Sequence, residues 1–287
     1  MTVAILGPGA VGGVLAAGFM HGGVDVVCIA RPDTAAVIRS ERLSLRQGSN
    51  VHLVRPDVVT ELDEPVELLL VTVKATTLDE ALDRVEAPPA TVLPLLNGIE
   101  HMQTLDRRFP DSAVVGASIG RIEAWLERPG VVIQPTPGVV MTVASDAPLE
   151  LLRRSGVEIR VDGSGKEVLW EKLARQAATA AATSVTQRPV GELRSDPEWR
   201  GRFRAAIDEA CAVAAADGVT LSPQAEWEII EAMPPLLTSS TARDIAAGVP
   251  SELDAITGAV VRAGERLGVR TPVLAQMHDE ACQASSR

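Results

Sequence analysis

Residues 2–12, Thr2-Val-Ala-Ile-Leu6-Gly7-Pro8-Gly9-Ala10-Val11-Gly12, decide the fold of this chain. A short apolar strand runs into a Gly7-x-Gly9-x-x-Gly12 turn, and an apolar helical stretch follows to about Gly22. The glycine spacing alone is a weak signal; its place between a strand and a helix gives it meaning. The glycines allow a tight turn and let backbone N–H groups approach a pyrophosphate at a helix N-terminus, where the dipole favours negative charge. Gly7, Pro8, Gly9, Ala10, Val11 and Gly12 are therefore the expected cradle of a dinucleotide, with a plain βα turn as the alternative.

Outward from this turn, strands are expected at Val24–Ala30, Val66–Val73 and Thr91–Leu96, with a helix over Thr77–Val85. Leu43–Arg46 and Val51–Val54 read as a hairpin across Gln47-Gly-Ser-Asn50. Further β candidates are Ala113–Ile119, Val131–Gln134, Val139–Val143 and Val157–Val161. Alternating β and α behind a glycine-rich first turn predicts a doubly wound, Rossmann-type α/β domain over residues 1–164. After Asp162-Gly-Ser-Gly165 almost nothing reads as strand, so residues 165–287 are expected to form an all-α domain. Ser195-Asp-Pro197 and Ser222-Pro223 open helices, the first ending near Gly218 and the second at Pro234-Pro235. Ser251 with Asp254 resembles a capping box for a helix ending at Gly268.

Length and composition agree with two domains, since 287 residues at about 150 per domain suggests that number. Four Trp, three Phe and no Tyr leave an aliphatic core. A net charge of −11 argues against a non-specific nucleic-acid binder. No apolar run reaches the roughly 18 residues of a membrane span, and no basic leader precedes the first strand, so a cytoplasmic protein is expected. Three cysteines, Cys28, Cys211 and Cys282, lack CxxC spacing and read as incidental thiols in a reducing compartment. Four histidines form no ligand pattern, so no metal is expected.

Only three lysines occur among the 27 basic residues, Lys74, Lys166 and Lys172, and only two asparagines, Asn50 and Asn97. Codon bias explains the scarcity, and the survivors then mark places where Arg or Gln cannot substitute. Arg is always protonated, whereas Lys can be tuned to act as an acid or base. Arg31 follows the second strand, where an arginine accommodates the 2′-phosphate of NADPH and an acidic residue would read NAD. Asp33 is the competing NAD reader. Lys74 and Asn97 end two predicted strands, at the carboxyl edge where α/β sheets bind ligands.

With these residues in place, the chain resembles the ketopantoate reductases (2-dehydropantoate 2-reductases). The likeness rests on Gly7–Gly12, Arg31, Val71-Thr-Val-Lys74, Leu96-Asn97-Gly98, Trp170-Glu-Lys172-Leu, Ser239-Ser240 followed by Asp244, and Ser251-Glu252-Leu-Asp254-Ala-Ile256-x-Gly258. It implies an NADPH domain, a helical domain and a 2-oxo acid bound in the cleft between them. By the resemblance Lys172 is the general acid and Glu252 its catalytic partner, which also contacts the substrate hydroxyl. Asn97 bridges cofactor and substrate, and Ser240 contacts the substrate carboxylate. The family presents asparagines four and eight positions after the lysine and a third before a Gly-Glu-Leu segment; here Gln176, Ala180 and Val190 stand there. Gln176 and Ala180 are thus substrate-pocket positions with altered chemistry. The implied activity is reduction of ketopantoate for pantothenate synthesis. Alternatives are a same-family reductase of a bulkier or less polar acid or ketone, and an NADPH sensor without turnover, which would need neither Lys172 nor Glu252. A small-molecule 2-oxo acid is the expected partner; a homodimer is compatible with the sequence, which does not itself set the assembly.

Overall fold

A computed structural model describes residues 2–285. The chain divides into two compact units, Met1–Leu96 with His101–Val168, and Asn97–Glu100 with Leu169–Arg287.

In chain order the first unit contains β1 (Thr2–Leu6), α1 (Ala10–His21), β2 (Asp25–Ile29), α2 (Pro32–Glu41), β3 (Leu43–Gln47), β4 (Asn50–Val54), β5 (Asp57–Val59), β6 (Leu68–Val71), α3 (Leu78–Leu82), β7 (Thr91–Pro94), α4 (His101–Arg108), β8 (Ala113–Val114), β9 (Ala117–Gly120), β10 (Trp125–Arg128), β11 (Val131–Gln134), β12 (Val140–Val143), α5 (Leu149–Arg153) and β13 (Glu158–Val161). Six parallel strands form the main sheet in the order β5-β2-β1-β6-β7-β8. Counted along the sheet's own strands this is 3-2-1-4-5-6, the dinucleotide-binding order, with its topological switch between β1 and β6. Both faces of the central strands are covered. Val3, Ile5, Leu68 and Leu70 enter one apolar cluster, while Ala4, Leu6, Leu69 and Val71 enter another. Period-2 side chains on a strand buried on both sides produce that near-continuous apolar run.

The hairpin forms as β3 and β4, with Gln47 opposite Asn50. It joins β11 and β10 in a second sheet of order β10-β11-β3-β4, and a third sheet runs β13-β12-β9. The continuous strand expected over Ala113–Ile119 is two strands in different sheets. Val115 N–H still donates to the Val92 carbonyl at 2.9 Å, while the Gly116 carbonyl already accepts from Ala144 N–H at 3.0 Å, so the chain changes sheets between them. Strands β5 and β10 and helices α4 and α5, of three, four, eight and five residues, lie outside the sequence expectations, each being shorter than the window over which a repeat is read. Desolvation pushes the Cys28 thiol up to about 12, which keeps it unreactive.

Helices α6 (Gly165–Thr186), α7 (Val190–Ser195), α8 (Pro197–Ala216), α9 (Pro223–Ala232), α10 (Ser240–Ala246), α11 (Ala259–Leu267) and α12 (Pro272–Ser285) follow. Among the described residues no helix is long and apolar enough to cross a membrane. Asp196 caps α8 by accepting from Glu198 and Trp199 N–H, and Ser222 caps α9 through Ala225 N–H. Each is followed by a proline at the first helical position, the arrangement the sequence predicted. Alanines line the buried face of α6 and let neighbouring helices approach closely, while Trp170 Nε1 donates to Asp217 Oδ2 at 2.8 Å and ties α6 to the end of α8. Phe203 and Trp227 meet edge to face at 5.8 Å.

The capping box expected at Ser251 does not form. Residues Asp254–Gly258 make a π turn that runs into α11, and the Asp254 carboxylate is engaged by Arg262 instead of reaching back to Ser251. Gly268, at φ +72°, closes α11 as expected.

Candidate active site

Lys172 projects from α6, and its Nζ donates to Asn97 Oδ1 at 2.9 Å. Asn97 Nδ2 in turn donates to Glu252 Oε2 at 2.9 Å. An amide that accepts through oxygen and donates through nitrogen is held in one orientation by such partners. Asn97 therefore sets the distance between an ammonium and a carboxylate that lie 80 residues apart in the chain. Burial pulls the Lys172 ammonium down to about 8; the Glu252 carboxylate opposes that shift and the Arg175 guanidinium adds to it. A general acid works best when its pKa lies near the operating pH.

The geometry around Asn97 is enforced locally. Gly98 adopts φ +86°, and a Cβ there would overlap the Ala255 carbonyl oxygen, so only glycine lets the turn rest against the segment after Glu252. That segment is the π turn, a rare irregularity frequent at functional sites. Arg262 then bonds Glu100 through two parallel contacts, Nε to Oε1 at 2.9 Å and Nη2 to Oε2 at 2.7 Å. Its Nη1 also donates to Asp254 Oδ1 at 2.7 Å. The fork fastens residues 97–100 to the turn that follows Glu252. Nothing in the sequence singled out Arg262, because its partners are remote in the chain.

Lys172, Arg175, Gln176, Thr179 and Ala180 lie at i, i+3, i+4, i+7 and i+8, one face of α6. This face and Met233 with Ser239–Thr241 enclose a pocket of about 220 Å³. Ser239 Oγ shares a 2.7 Å hydrogen bond with Thr183 Oγ1 and accepts from Ala242 N–H at 3.0 Å, which anchors the segment that presents Ser240. The pocket thus brings Lys172, Gln176, Ala180 and Ser240 together. Val190 is not on its wall; it is fully buried in the helical core, with its N–H donating to the Leu237 carbonyl at 2.9 Å. Gln176 Oε1 is buried without a hydrogen-bond partner among the described residues, an arrangement that costs about 1–3 kcal/mol until a donor arrives. Sequence reasoning missed Arg175. Its spacing of three from Lys172 was the available signal.

In the first unit, Gly7 has φ +88° and lies against Val73, where a side chain would collide. Gly9 is the N-cap of α1, and Ala10, Val11 and Gly12 form its first turn. Neither a capping side chain nor an acidic residue occupies that helix end, so its N–H groups can meet an anion. Arg31 is exposed at the N-cap of α2, directly after β2, and Asp33 sits in the first turn of that helix, where a carboxylate suits the dipole. Lys74 is exposed beyond β6. The turn, Arg31 and Lys74 therefore follow β1, β2 and β6, the strands around the switch point. These residues fit a dinucleotide.

A parallel sheet of dinucleotide-binding order and a half-buried lysine tuned toward neutrality define an oxidoreductase acting on the CH–OH group, of the NAD(P)H-dependent kind. More narrowly, the chain belongs to the ketopantoate reductase family. The model for "Ketopantoate reductase PanE/ApbA" matches residues 3–142, and that for its C-terminal part matches residues 166–282. The 2-dehydropantoate 2-reductase of Caulobacter vibrioides is 30% identical over 289 residues, covering 96% of each chain. Among solved structures, a PanE/ApbA family ketopantoate reductase from Ralstonia eutropha superposes with a TM-score of 0.86 at 29% identity, covering 100% of this chain and 99% of that one. A D-mandelate dehydrogenase in complex with NADH and anilino(oxo)acetate shares the fold, with a TM-score of 0.89 at 20% identity over 100% and 98% of the two chains.

Proposed function

We propose that this protein reduces a 2-oxo acid to the 2-hydroxy acid with NADPH, the family's 2-dehydropantoate being the first candidate and pantothenate synthesis the corresponding role. The Lys172–Asn97–Glu252 chain, whose lysine lines a small pocket, is the observation that carries this reading. Residues 1–164 serve the cofactor and residues 165–287 the substrate. Gly7–Gly12 would hold the pyrophosphate, Arg31 the 2′-phosphate, and Lys74 and Asn97 further parts of the dinucleotide, which supplies hydride to the ketone carbon when bound.

The remaining work falls to side chains of this chain. Lys172 Nζ holds a proton beside the ketone oxygen and releases it as alkoxide charge develops there. Asn97 keeps the ammonium in place, and Glu252 favours its charged form before transfer. Ser240 donates to the substrate carboxylate. Gln176 Oε1 accepts from a substrate hydroxyl, which relieves its buried, unpaired state. A second reading, a reductase of a less polar 2-oxo acid, is favoured by Ala180, an apolar residue at the pocket lining where the family places an amide. Oxidation of NADPH by purified protein, followed with 2-dehydropantoate and with branched and unbranched 2-oxo acids, tests both. Turnover of the unsubstituted acids above that of 2-dehydropantoate selects the second reading. Absence of turnover with every acid overturns both and leaves an NADPH sensor.

A further inference from the structure

The pocket contains one strong anion-binding group that the family resemblance does not assign. Arg175 lies one helical turn beyond Lys172 on the pocket face of α6. Its Nη1 donates to Glu226 Oε2 at 2.5 Å, and among the described residues this is its one hydrogen-bond partner. Glu226, on α9, is only 5% exposed, and its carboxylate accepts no other hydrogen bond among the described residues. A guanidinium carries five N–H donors in a planar fork. One is used by Glu226, so the others remain for whatever enters the pocket.

A buried ion pair of this kind is poor evidence for stability, because an apolar pair of similar volume serves packing as well. Here it achieves something packing does not. Glu226 fixes the guanidinium on the pocket wall, while its end-on, single contact leaves the fork unfilled. We propose that Arg175 is the carboxylate anchor of the substrate pocket, held in place by Glu226 and supplemented by the neutral hydroxyl of Ser240. The proposal rests on the 2-oxo acid reading above and specifies how the acid is recognised.

Three observations converge on it. Side chains one turn apart on a helix have Cβ atoms about 5–6 Å apart, and a 2-oxo acid presents its ketone and carboxylate oxygens on adjacent carbons. Lys172 and Arg175 can thus take the two groups of one substrate. Ala180 cannot hydrogen-bond through its side chain and Val190 is off the pocket wall, so two of the three amides that serve the family are missing and only Gln176 keeps one. Arginine recognises a carboxylate through two parallel bonds, which a serine hydroxyl cannot supply. Arg175 also acts on Lys172 at a distance, since its positive charge helps hold that ammonium low.

Two measurements test the anchor, one without turnover. Calorimetry with oxamate, a non-reducible 2-oxo carboxylate, and with neutral oxamide, in the presence of NADPH, compares wild type with Arg175→Gln and the double variant Arg175→Gln/Glu226→Gln. The double variant avoids stranding a buried Glu226 and keeps the protein foldable. Oxamate is expected to bind wild type more tightly than oxamide by about 10- to 100-fold, the range for a charge-assisted hydrogen bond, and the preference is expected to fall to about one in both variants. Glu226→Gln alone, which keeps an oxygen acceptor for Nη1 but not the charge, is expected to lower the preference without abolishing it. The second measurement is kcat/KM for 3-methyl-2-oxobutanoate and its primary amide across pH 6–10. Loss of Arg175 removes a like charge from Lys172, so the alkaline limb is expected to move to higher pH, which a purely structural role would not cause. An oxamate preference that survives in the double variant overturns the anchor. So does a loss of affinity shared equally by oxamate and oxamide. Arg175-dependent oxamate binding without turnover of any 2-oxo acid would instead uphold the anchor and overturn the catalytic reading.

Discussion

Raising the pH through 8 is expected to switch the reaction off through one proton. Lys172 has been pulled from its ordinary range down to about 8, chiefly by burial. About nine-tenths of the molecules therefore carry the proton at pH 7 and about one-tenth at pH 9, so kcat/KM should fall roughly tenfold per unit above pH 8. Glu252→Gln removes the carboxylate that favours the charged form, so the alkaline limb should move to lower pH in that variant. The same titration appears in stability. Lys172 has a folded pKa below its unfolded value, so between about pH 8 and 10.5 the unfolded chain binds more protons and stability rises with pH. The full effect is on the order of 3 kcal/mol. Cys28 and Cys211, both pushed up to about 12 by burial, pull the other way above pH 9. The lysine contribution is therefore read as the difference between wild type and Lys172→Met in denaturant titrations at several pH values. Initial rates of NADPH oxidation from pH 6 to 10 provide the kinetic limb. A kcat/KM that stays flat to pH 10, or a limb that moves upward in Glu252→Gln, would refute the assignment of the proton to Lys172.

Lys172→Ala should lower turnover by about 10²–10⁴-fold with little change in NADPH affinity, and stopped-flow single turnovers beside cofactor titrations separate the two. Arg31→Ala should weaken NADPH binding by roughly one to two decades while leaving NADH nearly unaffected; wild-type protein that prefers NADH would move attention to Asp33. Arg262→Ala releases Glu100 from Asp254 and should lower kcat more than it raises KM, because Asn97 loses its fixed distance to Glu252. Equal melting temperatures for that variant and wild type at reduced kcat would confirm the positioning role, whereas unchanged kcat would sink it.

The glycine turn, the alternation of strand and helix it begins and the helical second half were legible because each depends on neighbours in sequence. Gly7-x-Gly9-x-x-Gly12, the proline-started helices α8 and α9, and the double-sided strand β6 announce themselves through periodicity, turn chemistry and caps. The failures share a cause. Ala113–Ile119 looked like one strand because its composition is uniform, yet Val115 and Gly116 hydrogen-bond in different sheets. Ser251 and Asp254 had the spacing of a capping box, but Arg262 offers the Asp254 carboxylate a stronger, charged partner.

By itself the sequence determined which groups the chain possesses: a glycine-rich turn between strand and helix, an arginine after the second strand, a scarce lysine and a scarce asparagine. Tertiary structure alone decided that Lys172, Asn97 and Glu252 form one hydrogen-bonded line, that Val190 lies outside the pocket while Ala180 lines it, and that Arg175 stands there on Glu226. Propensities and caps act over a few residues, and one sequence therefore carries them openly. A 2.9 Å contact between residues 155 positions apart depends on how α6, the turn at Gly98 and the π turn pack, and no local pattern encodes that distance.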